Sequence, residues 1–144
     1  MTTSCKSCSA PFTYFYSEST GTADSCYHLS NNDGGQNSGF TYCSGLSALC
    51  YLATPDTLGE MNYFRSALNG DTWLSGSRPN VPGGVYTWQP SGTGITQNWC
   101  DCGGGDDYLI FKNGNCGGGS IFNNGCLDNK KESDKHKYFC EIAV

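Results

Sequence analysis

Positive charge is scarce in this sequence. Eight lysines and arginines stand against thirteen aspartates and glutamates, a net charge of −5 at pH 7. Recognition of nucleic acid or anionic membrane rests on clustered lysine and arginine, so neither is an expected partner. Half of the basic residues, Lys130, Lys131, Lys135 and Lys137, fall in one late segment. Histidine occurs only as His28 and His136, each in strand-like or polar surroundings with no obvious partner for general-base chemistry. No serine occupies a nucleophile-elbow motif. Asp106 and Asp107, neighbours on an expected strand, would point to opposite faces and do not form an acid–base pair. The chain is therefore not expected to be an enzyme. No apolar run approaches the length of a membrane span. Residues 1–12, "MTTSCKSCSAPF", lack the charged and apolar regions of a secretory signal.

Cysteine, glycine and aromatic residues are abundant instead. Ten cysteines among 144 residues is an even count at high density, the pattern of a disulfide framework in an oxidising compartment. A secreted, extracellular protein is expected, its numbering beginning at a mature chain or with an added Met1. Residues 1–144 suit one domain. Nine tyrosines, seven phenylalanines and three tryptophans argue for an aromatic core rather than disorder.

Aromatic residues Phe12, Tyr14 and Tyr16 begin a hairpin closed by Cys8 and Cys26. A polar, glycine-rich stretch follows, "SNNDGGQNSG". Residues 40–47, "FTYCSGLS", suit a short helix or a loop, and "ALCYLA" at 48–53 suits a strand. The spacing of Leu58, Met61, Phe64 and Leu68 predicts a helix over 55–68 with one buried face. Pro55 suits its first turn, Thr57 and Glu60 have capping-box spacing, and Asn69-Gly70 provides a stop. Beyond it, "TWLSG" (72–76), "GVYTWQ" (84–89), "DYLIF" (107–111) and "KYFCEIAV" (137–144) predict strands. The class is α+β, with one or two helices packed on small antiparallel sheets joined by long loops.

The cysteine-paired hairpin ending "CYHLS", the run "FTYCSGLSALCYLATPDTLGEMNYFRSALNGDTWLSG", the strand "GVYTWQPSG" and the last strand "KYFCEIAV" occur in a telling order. Together they resemble the C-type lectin-like domain, in its long form with an N-terminal hairpin, over nearly the whole chain. The resemblance implies disulfides Cys8–Cys26 and Cys43–Cys140. It also implies a second inner disulfide, but Tyr108 and Glu132 occupy those positions here. Cys116 and Cys126 could close the "GGGSIFNNG" hairpin as a replacement. Cys5 or Cys50 could pair with Cys100 or Cys102, and spacing does not fix the choice.

The stretch "NWCDCGGGDDYLIF" at 98–111 admits three chemistries. Zinc is disfavoured, because Cys8 has a better partner in Cys26 and C-x-C is a poor zinc knuckle. Phosphate is disfavoured, because Gly103-Gly104-Gly105 precedes a strand rather than a helix and adjoins Asp106 and Asp107. Calcium suits the oxygen donors better. The resemblance implies calcium held by Asp106, Asp128, Asn129 and Asp101, with two sugar hydroxyls completing the shell. Trp99 would lie against the sugar ring or anchor the core, the core being preferred. The family's Glu-Pro-Asn or Gln-Pro-Asp triplet is absent, Asp128-Asn129 reverses its Asn-Asp order, and Leu127 replaces its tryptophan. A calcium site and a solvated acidic loop therefore both stand as readings. The expected function is carbohydrate binding, with a glycan or glycoprotein partner and a homo-oligomer or extended assembly for avidity. The alternative is a calcium-independent structural, self-assembly or protein-interaction module on the same fold.

Overall fold

The computed structural model describes residues 8–17, 24–55, 57–89, 91–95, 106–113 and 125–143. In chain order these form β1 (Tyr14–Ser17), β2 (Asp24–Gly34), α1 (Gln36–Leu46), β3 (Tyr51–Leu52), α2 (Leu58–Ala67), β4 (Thr72–Ser77), β5 (Tyr108–Lys112), β6 (Cys126–Lys130) and β7 (His136–Ala143). The strands make one sheet in the order β1-β2-β7-β4-β5-β6, with β3 also on β7. All pairings are antiparallel except β4 with β7. The C-terminal strand thus lies in the middle of the sheet. Tyr138, Phe139, Cys140 and Glu141 are all buried there.

Side chains alternate across each strand and build a core on both faces. Phe139, Leu74, Leu109, Phe111 and Leu127 share one face with Met61 and Phe64 of α2. Tyr138, Cys140, Trp73 and Ile110 share the other with Cys43 of α1. The hairpin forms in the expected place, pairing Phe15 with Cys26. Both implied disulfides are present, Cys8–Cys26 and Cys43–Cys140. Cys126 is also disulfide-bonded, while its expected partner Cys116 lies outside the described residues.

Helix α2 begins three residues later than the sequence predicts. Thr57 is its N-cap and its hydroxyl accepts from the Glu60 N–H at 3.0 Å, as the expected capping box requires. Pro55 lies ahead of the helix. Met61, Phe64 and Leu68 are buried as expected, but Leu58 is 60 % exposed. Being the first helical residue, Leu58 sits at the rim, and Glu60 turns inward instead. Its carboxylate accepts from the Tyr27 hydroxyl at 2.7 Å.

Helix α1 starts inside the polar glycine-rich stretch, at Gln36. Gly35 offers no side-chain cap. The cap comes from Glu132, on the β6–β7 loop, whose carboxylate accepts from the Asn37 N–H at 2.9 Å. A carboxylate at a helix N-terminus also suits the macrodipole. Gln36 is itself buried and donates through Nε2 to the carbonyls of Leu74 and Gly76, both at 2.7 Å.

Two expected strands shrink. Only Tyr51–Leu52 of "ALCYLA" pairs. Residues 84–89 do not form a strand; Thr87 makes isolated bridges to Ser77 and Gly94. The chain folds back on itself there. Trp88 N–H donates to the Thr93 carbonyl, and Gly92, at φ +77°, donates to the Trp88 carbonyl. A turn of that hand requires glycine.

Cys50 is a free, buried thiol, so the pairings left open through Cys50 are not formed. Burial, reinforced by the Glu141 carboxylate, pushes its thiol up to about 12 from an ordinary 9.0. Burial likewise raises the phenol of Tyr27 above its ordinary 10.0. Groups raised in the folded state contribute stability that is intact below their unfolded values and lost as pH climbs past them. The fold should therefore keep its urea midpoint from pH 7 to about 9 and lose it progressively between about 9 and 12. An unchanged midpoint at pH 10.5 would contradict this burial.

Candidate functional site

Of the expected ligand residues, Asp106, Asp128 and Asn129 lie where β5 pairs with β6. The register sets Tyr108 opposite Lys130, Leu109 opposite Asn129 and Ile110 opposite Asp128. Asp106 and Asp107 lie just ahead of β5, not on the strand. Asp106 donates its backbone N–H to Asn129 Oδ1 at 3.4 Å. Asp106 and Asn129 are thus brought together. Trp99 and Asp101 lie outside the described residues.

Asp128 is placed differently. Adjacent residues on a strand face opposite ways, so Asn129 goes with Leu127 and Asp128 goes with Lys130. Asp128 is 4 % exposed. Its Oδ1 accepts from the Asn129 N–H at 2.9 Å, and its Oδ2 lies 3.5 Å from Lys130 Nζ. This carboxylate already has a hydrogen-bond donor and a cation.

Sequence reasoning missed three residues of this region. Lys130 was legible in principle, since two residues along a strand returns to the same face. Arg78 and Tyr86 carry no local signal, because they lie 29 and 20 residues ahead of their partners Asp107 and Asp106. Arg78 Nε donates to Asp107 Oδ1 at 3.0 Å, and its guanidinium lies 4.7 Å from the Tyr86 ring centre. The Tyr86 hydroxyl donates to the Asp106 carbonyl in a short hydrogen bond. Burial raises the Tyr86 phenol; Arg78 opposes the shift, and Asp107, Asp106 and Asp128 add to it. Arg78 and Tyr86 hold the acidic segment against the sheet.

Calcium binds through six to eight oxygens. Among the described residues, no three histidine, cysteine or acid ligand atoms lie within 4.8 Å of one another except those of Cys43, Cys50 and Cys140. Two of those sulfurs are joined in a disulfide and cannot act as thiolate ligands. Asp107 is neutralised by Arg78 and Asp128 by Lys130. Of the four expected calcium ligands, Asp106, Asp128 and Asn129 are described, Asp128 being paired with Lys130, and Asp101 lies outside the described residues.

The two histidines have structural roles. His28 Nε2 is 2.7 Å from the Tyr42 hydroxyl and Nδ1 is 3.1 Å from the Pro11 carbonyl, so it has the partners that the sequence did not reveal. His136 packs edge-on against Trp73 at 5.3 Å, and burial lowers its basicity.

No protein-family model matches the sequence, and no curated protein matches it. Solved structures do. A calcium-independent type II antifreeze protein superimposes with a TM-score of 0.71 at 19 % identity, over 96 % of each chain. The C-type lectin CEL-I of Cucumaria echinata gives 0.64 at 18 % identity, over 96 % of this chain and 99 % of its own. The C-type lectin domain of murine dendritic cell inhibitory receptor 2, solved in complex with an N-glycan, gives 0.71 at 15 % identity, over 96 % and 100 %. With its paired N-terminal hairpin, two helices on opposite faces of a mixed sheet and a disulfide from α1 to the last strand, the chain has the C-type lectin-like fold.

Proposed function

We propose that this chain is an extracellular carbohydrate-binding module that engages its ligand through side-chain hydrogen bonds rather than through a calcium ion. The neutralisation of Asp107 by Arg78 and of Asp128 by Lys130 carries the reading. These ion pairs place fixed protein cations where a bound metal would otherwise balance the acids. The fold supports the ligand class, since similar structures include a lectin domain with bound N-glycan. A calcium-independent protein on the same fold supports the absence of the ion.

The ligand face is the loop region ahead of β5. Asp106 and Asn129 form its base, and Trp99 and Asp101 belong to the segment that precedes it in sequence. A pyranose ring offers hydroxyls to an amide and a carboxylate, both of which suit such donors. Shallow sites of this kind bind weakly, with a Kd on the order of 1 mM, about 4 kcal/mol. Several copies in one assembly would raise avidity.

A second reading has its own observation. Val81 and Val85 are 60 % and 64 % exposed on the same excursion that supplies Arg78 and Tyr86. On this reading these two exposed valines are contact surface and the chain is a self-assembly or interaction module. Frontal affinity chromatography on immobilised glycans, run in chelator, separates the two. The double variant Asp106→Ala/Asn129→Ala should lose glycan retention at least tenfold with unchanged far-UV and near-UV circular dichroism. Undiminished retention would overturn the site assignment. Absence of retention in the parent chain, with oligomers dissolved by Val81→Ser/Val85→Ser, would favour the second reading.

A further inference from the structure

The polar stretch "SNNDGGQNSG" is too rich in amides and hydroxyls to be explained as a plain strand-to-helix link. In the structure it forms one wall of a shallow cleft of about 790 Å³ between the end of β2, helix α1 and β7. The cleft is separated from the Asp106–Asn129 region by the breadth of the sheet, since β7 and β4 intervene between β2 and β5.

The cleft is built by specific devices. The β2–β7 register shifts between Leu29 and Asp33, and a bulge of that kind re-aims side chains. Buried Ser30 holds the bulge: its hydroxyl accepts from the Tyr138 N–H at 2.8 Å and donates to the Asn32 carbonyl at 2.7 Å. Asn31, Asn32 and Asp33 are thereby turned out to solvent. The side chains of Asn31 and Asn32 make no hydrogen bond among the described residues, so their donors and acceptors are open to a ligand. Across the cleft, Ser38 and Thr41 project from α1.

Beneath the cleft lie Tyr42, which is part-exposed, and Tyr138, which is 4 % exposed. Tyr42 and Tyr138 lie 5.4 Å apart, tilted by 42°. Two glycines admit Tyr138 there. A Cβ on Gly34 would collide with its hydroxyl, and one on Gly39 would stand 2.7 Å from its ring. Gly34 and Gly39 therefore have a packing reason specific to Tyr138, whereas a Cβ on Gly35 would meet Glu132.

We infer that this cleft is a second binding site, for a neutral oligosaccharide, working without a metal ion. The amides of Asn31 and Asn32 and the hydroxyls of Ser38 and Thr41 match the hydroxyl-rich edge of a sugar, with the part-exposed Tyr42 beside them. No lysine or arginine lines the cleft, and Asp33 does, so sulfated and sialylated chains are disfavoured by charge. The inference is independent of where the first site lies. With both sites filled, one chain would bridge two sugars and gain avidity without oligomerising.

The test is a proton–nitrogen NMR titration of the whole chain in chelator with chitotriose, maltotriose and a sulfated heparin disaccharide. At least one neutral probe should shift the amides of residues 31–34 and 38–42. The double variant Asn31→Ala/Asn32→Ala, at exposed positions, should weaken that binding tenfold or more. Thr41→Ala provides a second variant should the double one lose spectral dispersion. The Asp106→Ala/Asn129→Ala chain should keep the shifts, which separates failure here from failure at the other site. The inference falls if neither neutral probe shifts these amides, if the variants bind as the parent does, or if the sulfated probe binds tighter.

Discussion

Replacing both Cys43 and Cys140 by serine is expected to cost about 4–5 kcal/mol. The bridge spans 97 residues of sequence. Closing a loop of about 100 residues removes close to 4.7 kcal/mol of unfolded-chain entropy. The bridge also ties α1 to the central strand, so the loss falls on the core as well as on the chain. For a domain of this size the melting temperature should drop by roughly 10–20 °C. The experiment needs a Cys50→Ala background. Cys50 Sγ lies within 4.8 Å of both bridge sulfurs, and in a single Cys140→Ser variant an oxidised Cys43–Cys50 pair could replace the lost link. Calorimetry of the triple variant against Cys50→Ala reads the effect, and a drop under about 3 °C would mean the bridge contributes little.

Phe139→Ala should follow, at about 3–5 kcal/mol. Phe139 is completely buried on β7. It stacks on Tyr27 at 4.9 Å and meets Phe64 and Tyr14 edge-on at 5.1 and 5.8 Å. The substitution removes the ring that joins the hairpin, α2 and the central strand. Aromatic pairs add about 0.5–1.5 kcal/mol beyond buried area, which places this site toward the upper end. With a slope of about 1–3 kcal/mol per molar urea, the midpoint should move by 1 M or more. Leu58→Ala is the control. Although Leu58 fits the helical repeat, it is largely exposed, and its loss should stay within about 0.5 kcal/mol.

The contrast between Phe139 and Leu58 shows what the sequence could reveal. The hairpin and the buried face of α2 were legible because aromatic alternation and helical period are written in nearby residues, whereas the C-type lectin-like fold and the Cys43–Cys140 bridge were implied by the resemblance. The start of α1 was hidden because its cap, Glu132, arrives from 95 residues away. The strand expected at 84–89 failed for a related reason. Its aromatic residues suit a strand, but Gly92 and the Trp88–Thr93 hydrogen bond turn the chain before it can pair.

The ligand region was legible only in part. The acids were visible, and pairing of β5 with β6 does bring Asp106 to Asn129. What composition could not show was the ownership of each charge. Arg78 and Lys130 claim Asp107 and Asp128, and those pairings depend on strand facing and on a long excursion. A count of acids in a loop says nothing of which of them already has a cation beside it. The polar stretch ahead of α1 was noticed for its composition, yet its bulge exists only once β2 lies against β7.

The most direct test is a glycan array probed twice with the intact chain, once in millimolar calcium and once in chelator. The ion pairs predict one pattern of neutral glycans at equal intensity in both conditions. Signal that appears only with calcium would contradict the charge assignment, and silence in both would remove the carbohydrate function itself.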